Sequence, residues 1–247
     1  MNANFGLNLS KYYSINFDLP KRSKKKIIFI ILHYTGMKTE SAAIKRLRDH
    51  KSKVSSHYFI KNSGEVLSLV PDLYEAWHAG VSSWQKFKSI NKYSIGIEIN
   101  NPGHDNGYKE FSSKQIFSLS KLIKYLVKKY NIKKQNILGH SDISPDRKKD
   151  PGEKFPWKKL AKKKLCKWHN LDEKKIKKFR NYKIKDFEEK KFLRNLCDIG
   201  YPKIAGKNIK IKKINLTKAF QRRFRQKLIN GKIDQECLLI SKNLVNS

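Results

Sequence analysis

Over roughly the first 165 positions, short apolar runs alternate with stretches of helical spacing. Ile27 to Leu32 is a continuous apolar run, with the basic stretch Lys21-Arg22-Ser23 before it and Gly36 after it. It predicts a buried strand ending at His33. Thr39 to His50 carries Ala42, Ala43, Ile44 and Leu47 behind a Thr start and predicts a helix. His57 to Ile60 and Glu65 to Val70, joined by Lys61-Asn62-Ser63-Gly64, have the pattern of a hairpin. Ser94 to Ile99 predicts another strand, followed by the turn-rich Asn100 to Gly107. Ser112 to Tyr130 has the strongest helical pattern. Ile116, Leu119, Ile123, Leu126, Val127 and Tyr130 recur at intervals of three and four, and Ser112 and Gln115 have capping-box spacing. Asn136 to Leu138 predicts a short strand. Strands alternating with helices argue an α/β sandwich.

The pattern then changes. After Pro156 a lysine-rich stretch is apolar at Trp157, Leu160, Leu165 and Trp168. From Asn170 to Ile184 lysine dominates, as in a linker or a solvated helix. Three helical patterns follow: Phe187 to Asp198, Leu216 to Leu228 and Gln235 to Leu244. Gly200-Tyr201-Pro202 and Asn230-Gly231 separate them. The expected organisation is a main unit over 15–168, a basic linker over 169–185 and a small helical module over 186–244. Three short helices of this length need a neighbour or a compact core of their own.

Composition narrows the function classes. Only 38% of the 247 residues are hydrophobic, and the run Ile27 to Leu32 is far below the roughly 20 residues of a spanning helix, so no transmembrane segment is expected. Met1 to Leu19 lacks a basic head followed by an apolar h-region, and the three scattered cysteines make no disulfide framework. Both features favour a cytoplasmic protein, with a periplasmic or envelope location as the alternative. The formal charge is +35, from 56 Lys+Arg against 21 Asp+Glu. Only nine of the 56 are arginine, the side chain favoured for reading bases. Abundant Lys, Asn and Ile are what AT-rich codons produce, so most of this charge reads as solvated surface rather than a specific nucleic-acid site. Arg222-Arg223-Phe224-Arg225 is the single arginine cluster with an interleaved aromatic.

Candidate chemistry begins with histidine. His33 and His140 each end a predicted strand, and Asp150 follows ten residues after His140. Strand ends at the carboxyl edge of a sheet are where sites gather in α/β folds. Two imidazoles and a carboxylate are the donor set of a catalytic zinc with an open position. The order of motifs sharpens this. Leu32-His33-Tyr34-Thr35-Gly36-Met37, Val54-Ser55-Ser56-His57-Tyr58, Ala76-Trp77-His78-Ala79-Gly80 and Ser94-Ile95-Gly96-Ile97-Glu98 come first. Gly139-His140-Ser141-Asp142-Ile143 and Arg147-Lys148-Lys149-Asp150-Pro151-Gly152 complete the series. Together they resemble the zinc-dependent N-acetylmuramoyl-L-alanine amidases of amidase type 2, in their AmiD/AmpD-like branch, a fold shared with peptidoglycan recognition proteins.

The resemblance implies a mixed central β-sheet flanked by helices. It also implies one zinc ion on His33, His140 and Asp150, with Glu98 and Lys148 catalytic. The implied reaction is hydrolysis of the amide between the lactyl group of N-acetylmuramic acid and L-alanine of the stem peptide, in peptidoglycan turnover or recycling. The implied partners are peptidoglycan or muropeptides, and the chain is expected to act as a monomer. The residue types suit the chemistry. Zinc acidifies water, a glutamate moves the proton, and an ammonium stabilises the oxyanion.

Other residues leave two readings open. Glu98 shares its strand face with Ser94 and Gly96, which leaves room for a ligand. Lys149 is the near alternative to Lys148. His57, Trp77, His78 and Arg147 are substrate-binding candidates. Trp77-His78 can stack on sugar or peptide, or be a packed core pair. Arg147 can fork onto a substrate carboxylate, or make an ordinary salt bridge. His50, His104 and His169 match no motif and read as surface. In the tail, Leu196, Gly200-Tyr201, Ala219-Phe220-Gln221-Arg222-Arg223-Phe224-Arg225 and Gly231-Lys232-Ile233-Asp234 resemble the three-helix peptidoglycan-binding type 1 domain. The lysine-rich Asn208 to Lys213, read as a loop, departs from that pattern. A non-catalytic peptidoglycan recognition protein is the alternative to an enzyme.

Overall fold

The computed structural model describes residues 9–246; residues 1–8, part of the segment read for an export signal, and residue 247 lie outside them. The strands are β1 (Leu9–Lys11), β2 (Phe17–Asp18), β3 (Phe29–Tyr34), β4 (Tyr58–Ile60), β5 (Val66–Ser68), β6 (Glu75–Ala76), β7 (Ser83–Trp84), β8 (Phe87–Lys88), β9 (Ser94–Ile99) and β10 (Ile137–Gly139). The helices are α1 (Glu40–Arg48), α2 (Ser113–Tyr130), α3 (His140–Ile143), α4 (Trp157–Lys162), α5 (Glu173–Lys177), α6 (Asp186–Ile199), α7 (Ile209–Phe224) and α8 (Gln235–Val245). Six strands form the central sheet in the order β1-β5-β4-β9-β3-β10. β4 and β5 form the expected antiparallel hairpin, with Tyr58 opposite Ser68 and Ile60 opposite Val66. The other four pairings are parallel. The fold is therefore a mixed sheet flanked by helices, as the alternation of patterns predicts.

Strand alternation assigns the two faces of the sheet. Ile30, Leu32, Ile95, Ile97 and Ile99 pack under Ile116, Leu119, Ile123 and Leu126 of α2. The capping box of α2 is formed as its spacing predicts. The Gln115 N–H donates to Ser112 Oγ at 3.1 Å, and the Ser112 N–H donates to Gln115 Oε1 at 3.0 Å. Phe29, Ile31 and Leu138 point the other way. They share one apolar core with Phe192 and Leu196 of α6, Phe220 and Phe224 of α7, and Leu238 and Leu244 of α8. The C-terminal helices thus cover a face of the sheet. Gly200 makes the close approach possible: a Cβ there would lie 2.4 Å from the Trp84 ring.

Element boundaries shift where local chemistry overrides apolar pattern. The strand expected at Ile27 runs from Phe29, because Lys24–Lys26 first close a 3-10 turn onto which the Ile27 N–H bonds. α7 begins at Ile209 rather than Leu216, since lysine is a good helix former and 210–213 needs no apolar face to be helical. α7 stops at Phe224 rather than Leu228, because Arg225 leaves helical geometry to meet Asp234 and Glu236. The lysine-rich 170–184 is anchored rather than free. Ile176 of α5 is buried, and Arg180 forks onto Glu236 at 2.6 and 2.8 Å. Arg223 and Arg225 are 3% exposed and ion-paired. The arginine cluster is thus an internal framework, not a surface aimed at nucleic acid.

Candidate active site

The sheet register assembles the site. On neighbouring parallel strands His33 pairs with Glu98, and Leu32 pairs with Gly139, so His140 emerges level with His33. The chain from α3 then turns back, and the Ser141 N–H bonds to Asp150 O at 2.9 Å, which brings Asp150 to the same point. His33 Nδ1 lies 3.0 Å from His140 Nδ1 and 3.0 Å from Asp150 Oδ2. His140 Nδ1 lies 3.1 Å from Asp150 Oδ2. All three residues are buried.

Proton positions show what this triangle fits. A carbonyl oxygen only accepts, so His140 carries its proton on Nε2, which donates to Ala79 O at 3.1 Å. Neutral His140 then has a bare Nδ1. For His33 the same result comes through a relay. The Ser94 hydroxyl gives its one proton to Ile90 O at 2.8 Å, so it accepts from His78 Nε2 at 3.1 Å. His78 Nδ1 is then bare and accepts from His33 Nε2–H at 3.1 Å. His33 Nδ1 is left with a free lone pair. Burial pushes His33 down to about 4, so it is neutral at pH 7. Asp150 is held far below the usual carboxylate range: burial alone would raise it, and the two imidazoles more than reverse that. Two lone pairs and an anionic oxygen facing one point without a proton between them fit a cation. Tetrahedral zinc with bonds near 2.0–2.1 Å places its donors about 3.3 Å apart, close to the separations here.

These residues floor a groove of about 560 Å³ whose walls include Met37, Leu47, Trp77, Arg147 and Lys148. Glu98 lines the groove, and its buried Oε2 has no hydrogen-bond partner among the described residues. Burial, reinforced by Asp150 and opposed by Lys148, pushes Glu98 well above the usual carboxylate range. Lys148 is half-buried on the wall, and its charge is felt at both Glu98 and His33, whereas Lys149 is exposed. Both lysines line the groove, and Lys148, at the expected spacing from His140, is the more buried of the two.

The four substrate-binding candidates separate. Trp77 is half-buried on the groove wall, with its ring N–H donating to Asp18 Oδ1 at 3.0 Å. Arg147 is exposed at the groove edge, but Nη2 is tied to Ala79 O, Val81 O and Ser144 Oγ. His78 is 8% exposed and spends both ring nitrogens on His33 and Ser94. A Cβ on Gly96 would come within 2.4 Å of its ring. The room left by the small residues beside Glu98 is therefore filled by an imidazole rather than a ligand. His57 is fully buried, where Nδ1 accepts from the Gly96 N–H and Nε2 meets Tyr74 O. Burial there, with Arg22 next to it, pushes His57 down to about 3. His57 has no surface to offer a solute.

Of the three histidines expected at the surface, His50 is exposed and His169 is buried at 5% exposure, while His104 is half-buried and joins Tyr34 Oη to Glu153 through its two nitrogens. Sequence reasoning missed Ser94 as the end of the relay, although its place two residues before Gly96 on the Glu98 face was a usable signal. It also gave no role to Asp142, although that residue lies in the motif around His140.

Comparison with known proteins decides the family. The profile of the Amidase_2 family, described as N-acetylmuramoyl-L-alanine amidase, matches residues 23–153. The N-acetylmuramoyl-L-alanine amidase AmiD of Escherichia coli K12 is 31% identical over 235 residues, which cover 89% of this chain and 83% of AmiD. The chain belongs to the N-acetylmuramoyl-L-alanine amidase family. The structure of AmiD from E. coli, solved with anhydro-N-acetylmuramic acid-L-Ala-D-gamma-Glu-L-Lys, superposes with a TM-score of 0.80 at 29% identity. That match covers 93% of this chain and 92% of AmiD, so it includes the C-terminal helices. The 1,6-anhydro-N-acetylmuramyl-L-alanine amidase AmpD of Haemophilus influenzae is 39% identical over 111 residues, 44% of this chain and 58% of AmpD. As a member of this amidase family the chain is an enzyme, and the motifs from Leu32 to Gly152 fall within residues 23–153. No helix among the described residues is long and apolar enough to cross a membrane.

Proposed function

We propose that this amidase is zinc-dependent and hydrolyses the amide between the lactyl group of N-acetylmuramic acid, or its anhydro form, and L-alanine of the stem peptide. The observation that carries the reading is the convergence of His33 Nδ1, His140 Nδ1 and Asp150 Oδ2, beside a glutamate oxygen with no partner among the described residues. The three would hold one zinc ion, which when bound supplies Lewis acidity and lowers the pKa of a water toward about 7. Glu98 Oε2 takes the proton of the attacking water and returns it to the nitrogen of the departing L-alanine. The Lys148 ammonium stabilises the negative charge that develops on the carbonyl oxygen, a contribution typically worth about 10²–10³ in rate. Trp77 lies against the sugar or peptide, and Arg147 edges the same groove.

In this reading residues 15–168 are the catalytic unit, 169–185 join it to the tail, and 186–244 are a peptidoglycan-binding module. The substrate is a muropeptide or peptidoglycan, taken by a monomer. Fractionating cells that carry a C-terminally tagged chain separates a cytoplasmic recycling enzyme from an envelope one.

The reaction is tested on a purified muropeptide by mass spectrometry. Cleavage at the lactyl–alanine amide is expected to stop with a chelator, return with zinc and be absent in Glu98→Ala. Zinc uptake with no cleavage by the wild type would make the chain a recognition protein instead.

A further inference from the structure

We propose that the C-terminal helices serve catalysis on any substrate, including small soluble ones. They do so by holding the metal-ligand turn through Arg223 and Tyr201, which act as positioning residues. The inference rests on the zinc reading above. His140 begins α3, and its direction depends on the turn Gly139-His140-Ser141-Asp142. Asp142 ties that turn together, with Oδ2 accepting from the Gly139 N–H at 2.8 Å. Its two oxygens are also gripped from outside. Tyr201 Oη donates to Oδ1 at 2.7 Å, and Arg223 Nη1 donates to Oδ2 at 2.5 Å. Arg223 Nη2 reaches on to Ile137 O of β10 at 3.0 Å, so one guanidinium bridges the strand before His140 and the turn after it. Both grips come from the tail, and Asp142, Tyr201 and Arg223 are all at most 3% exposed.

The far end of the same segment is held too. Gln226 Nε2 donates to Glu153 O at 2.7 Å and to Phe155 O at 2.6 Å, just past Asp150. The stretch bearing His140, Lys148 and Asp150 is therefore clamped by the tail at both ends. A buried carboxylate that loses the cation paired with it is strongly penalised. Without Arg223, Asp142 would be free to turn away from the Gly139 N–H, and His140 would lose its fixed direction. Outer-shell partners of metal ligands typically carry about 10–100-fold in metal affinity.

Arg225 provides the control. It is as buried as Arg223 and ion-paired with Asp234 and Glu236, yet both its partners lie in the tail. The test measures zinc affinity by chelator competition, with kcat and KM on a soluble muropeptide, for full-length chains at a temperature where each is folded. Arg223→Met is expected to lose about 10–100-fold in zinc affinity and to lower kcat with KM unchanged. Arg223→Lys should recover part of the loss, and Arg225→Met should leave zinc affinity alone. If Arg223→Met does not fold, Tyr201→Phe carries the test. It keeps the ring against Trp84 and Phe220 and should weaken zinc by several-fold. Wild-type zinc affinity in Tyr201→Phe and in any folded Arg223 variant, or an equal loss in Arg225→Met, would overturn the clamp alone. A wild-type chain that takes up no zinc would overturn the metal reading and the clamp with it.

Discussion

The two histidines proposed as metal ligands are held in opposite ways. His33 sits inside a strand, between β9 and β10, and its spare nitrogen is fixed by His78, which Ser94 of β9 holds in turn. His140 sits on a four-residue helix at the sheet edge, with one carbonyl behind it and a turn that the C-terminal helices grip. The first is rigid because of where its strand lies. The second is rigid because a distant part of the chain closes on it. Strands give register without further help, whereas turns need partners, and here the partners arrive from more than fifty residues downstream.

The largest effects should come from the donors both halves share. Asp150→Ala removes the one anionic donor and is expected to abolish stoichiometric zinc binding and turnover, read by metal analysis of the dialysed protein. Retained zinc would mean that the two imidazoles bind without it and that the comparison misplaces the third donor. Glu98→Gln is expected to lower kcat by about 10²–10⁴-fold while zinc affinity stays near wild type. A matched loss of zinc would make Glu98 a ligand rather than a base.

Legibility followed the same division. His33, Glu98 and the alternation of Ile95, Ile97 and Ile99 were readable because strand periodicity is local, and His140 and Asp150 because their motifs are contiguous. The burial of His78 was not readable, since a small-residue face offers space without saying what fills it. The grip on Asp142 was hidden for a different reason. Arg223 lies in a run that looks like a basic surface, and only tertiary docking puts it against a carboxylate 81 residues away. Lysine-rich stretches misled the helix bounds of α7 because charge pattern reports solvation and not backbone state.

A smaller effect sharpens the sheet-held half. Ser94→Ala removes the acceptor that fixes the His78 tautomer and is expected to weaken zinc about 10-fold, while leaving the tail untouched. Calorimetric zinc titration checks it, and an unchanged affinity would reduce the relay to packing. A last effect, confined to acid conditions, concerns pH. His57 is held down to about 3 in the folded chain against roughly 6.5 when unfolded, so the unfolded chain binds the extra proton. Its contribution is complete above about pH 6.5 and is lost as pH falls toward 3. Thermal unfolding midpoints across that window should fall less steeply for His57→Gln than for wild type. Parallel curves would show that other groups carry the acid sensitivity.

The account stands on a metal held by two histidines and one aspartate, and X-ray absorption at the zinc edge of the purified, zinc-loaded chain tests that directly. It predicts one zinc per chain, with two imidazole nitrogens and light oxygen ligands at about 2.0–2.1 Å and no sulfur. A sulfur shell near 2.3 Å from one of the cysteines, or no stoichiometric zinc at all, would contradict it.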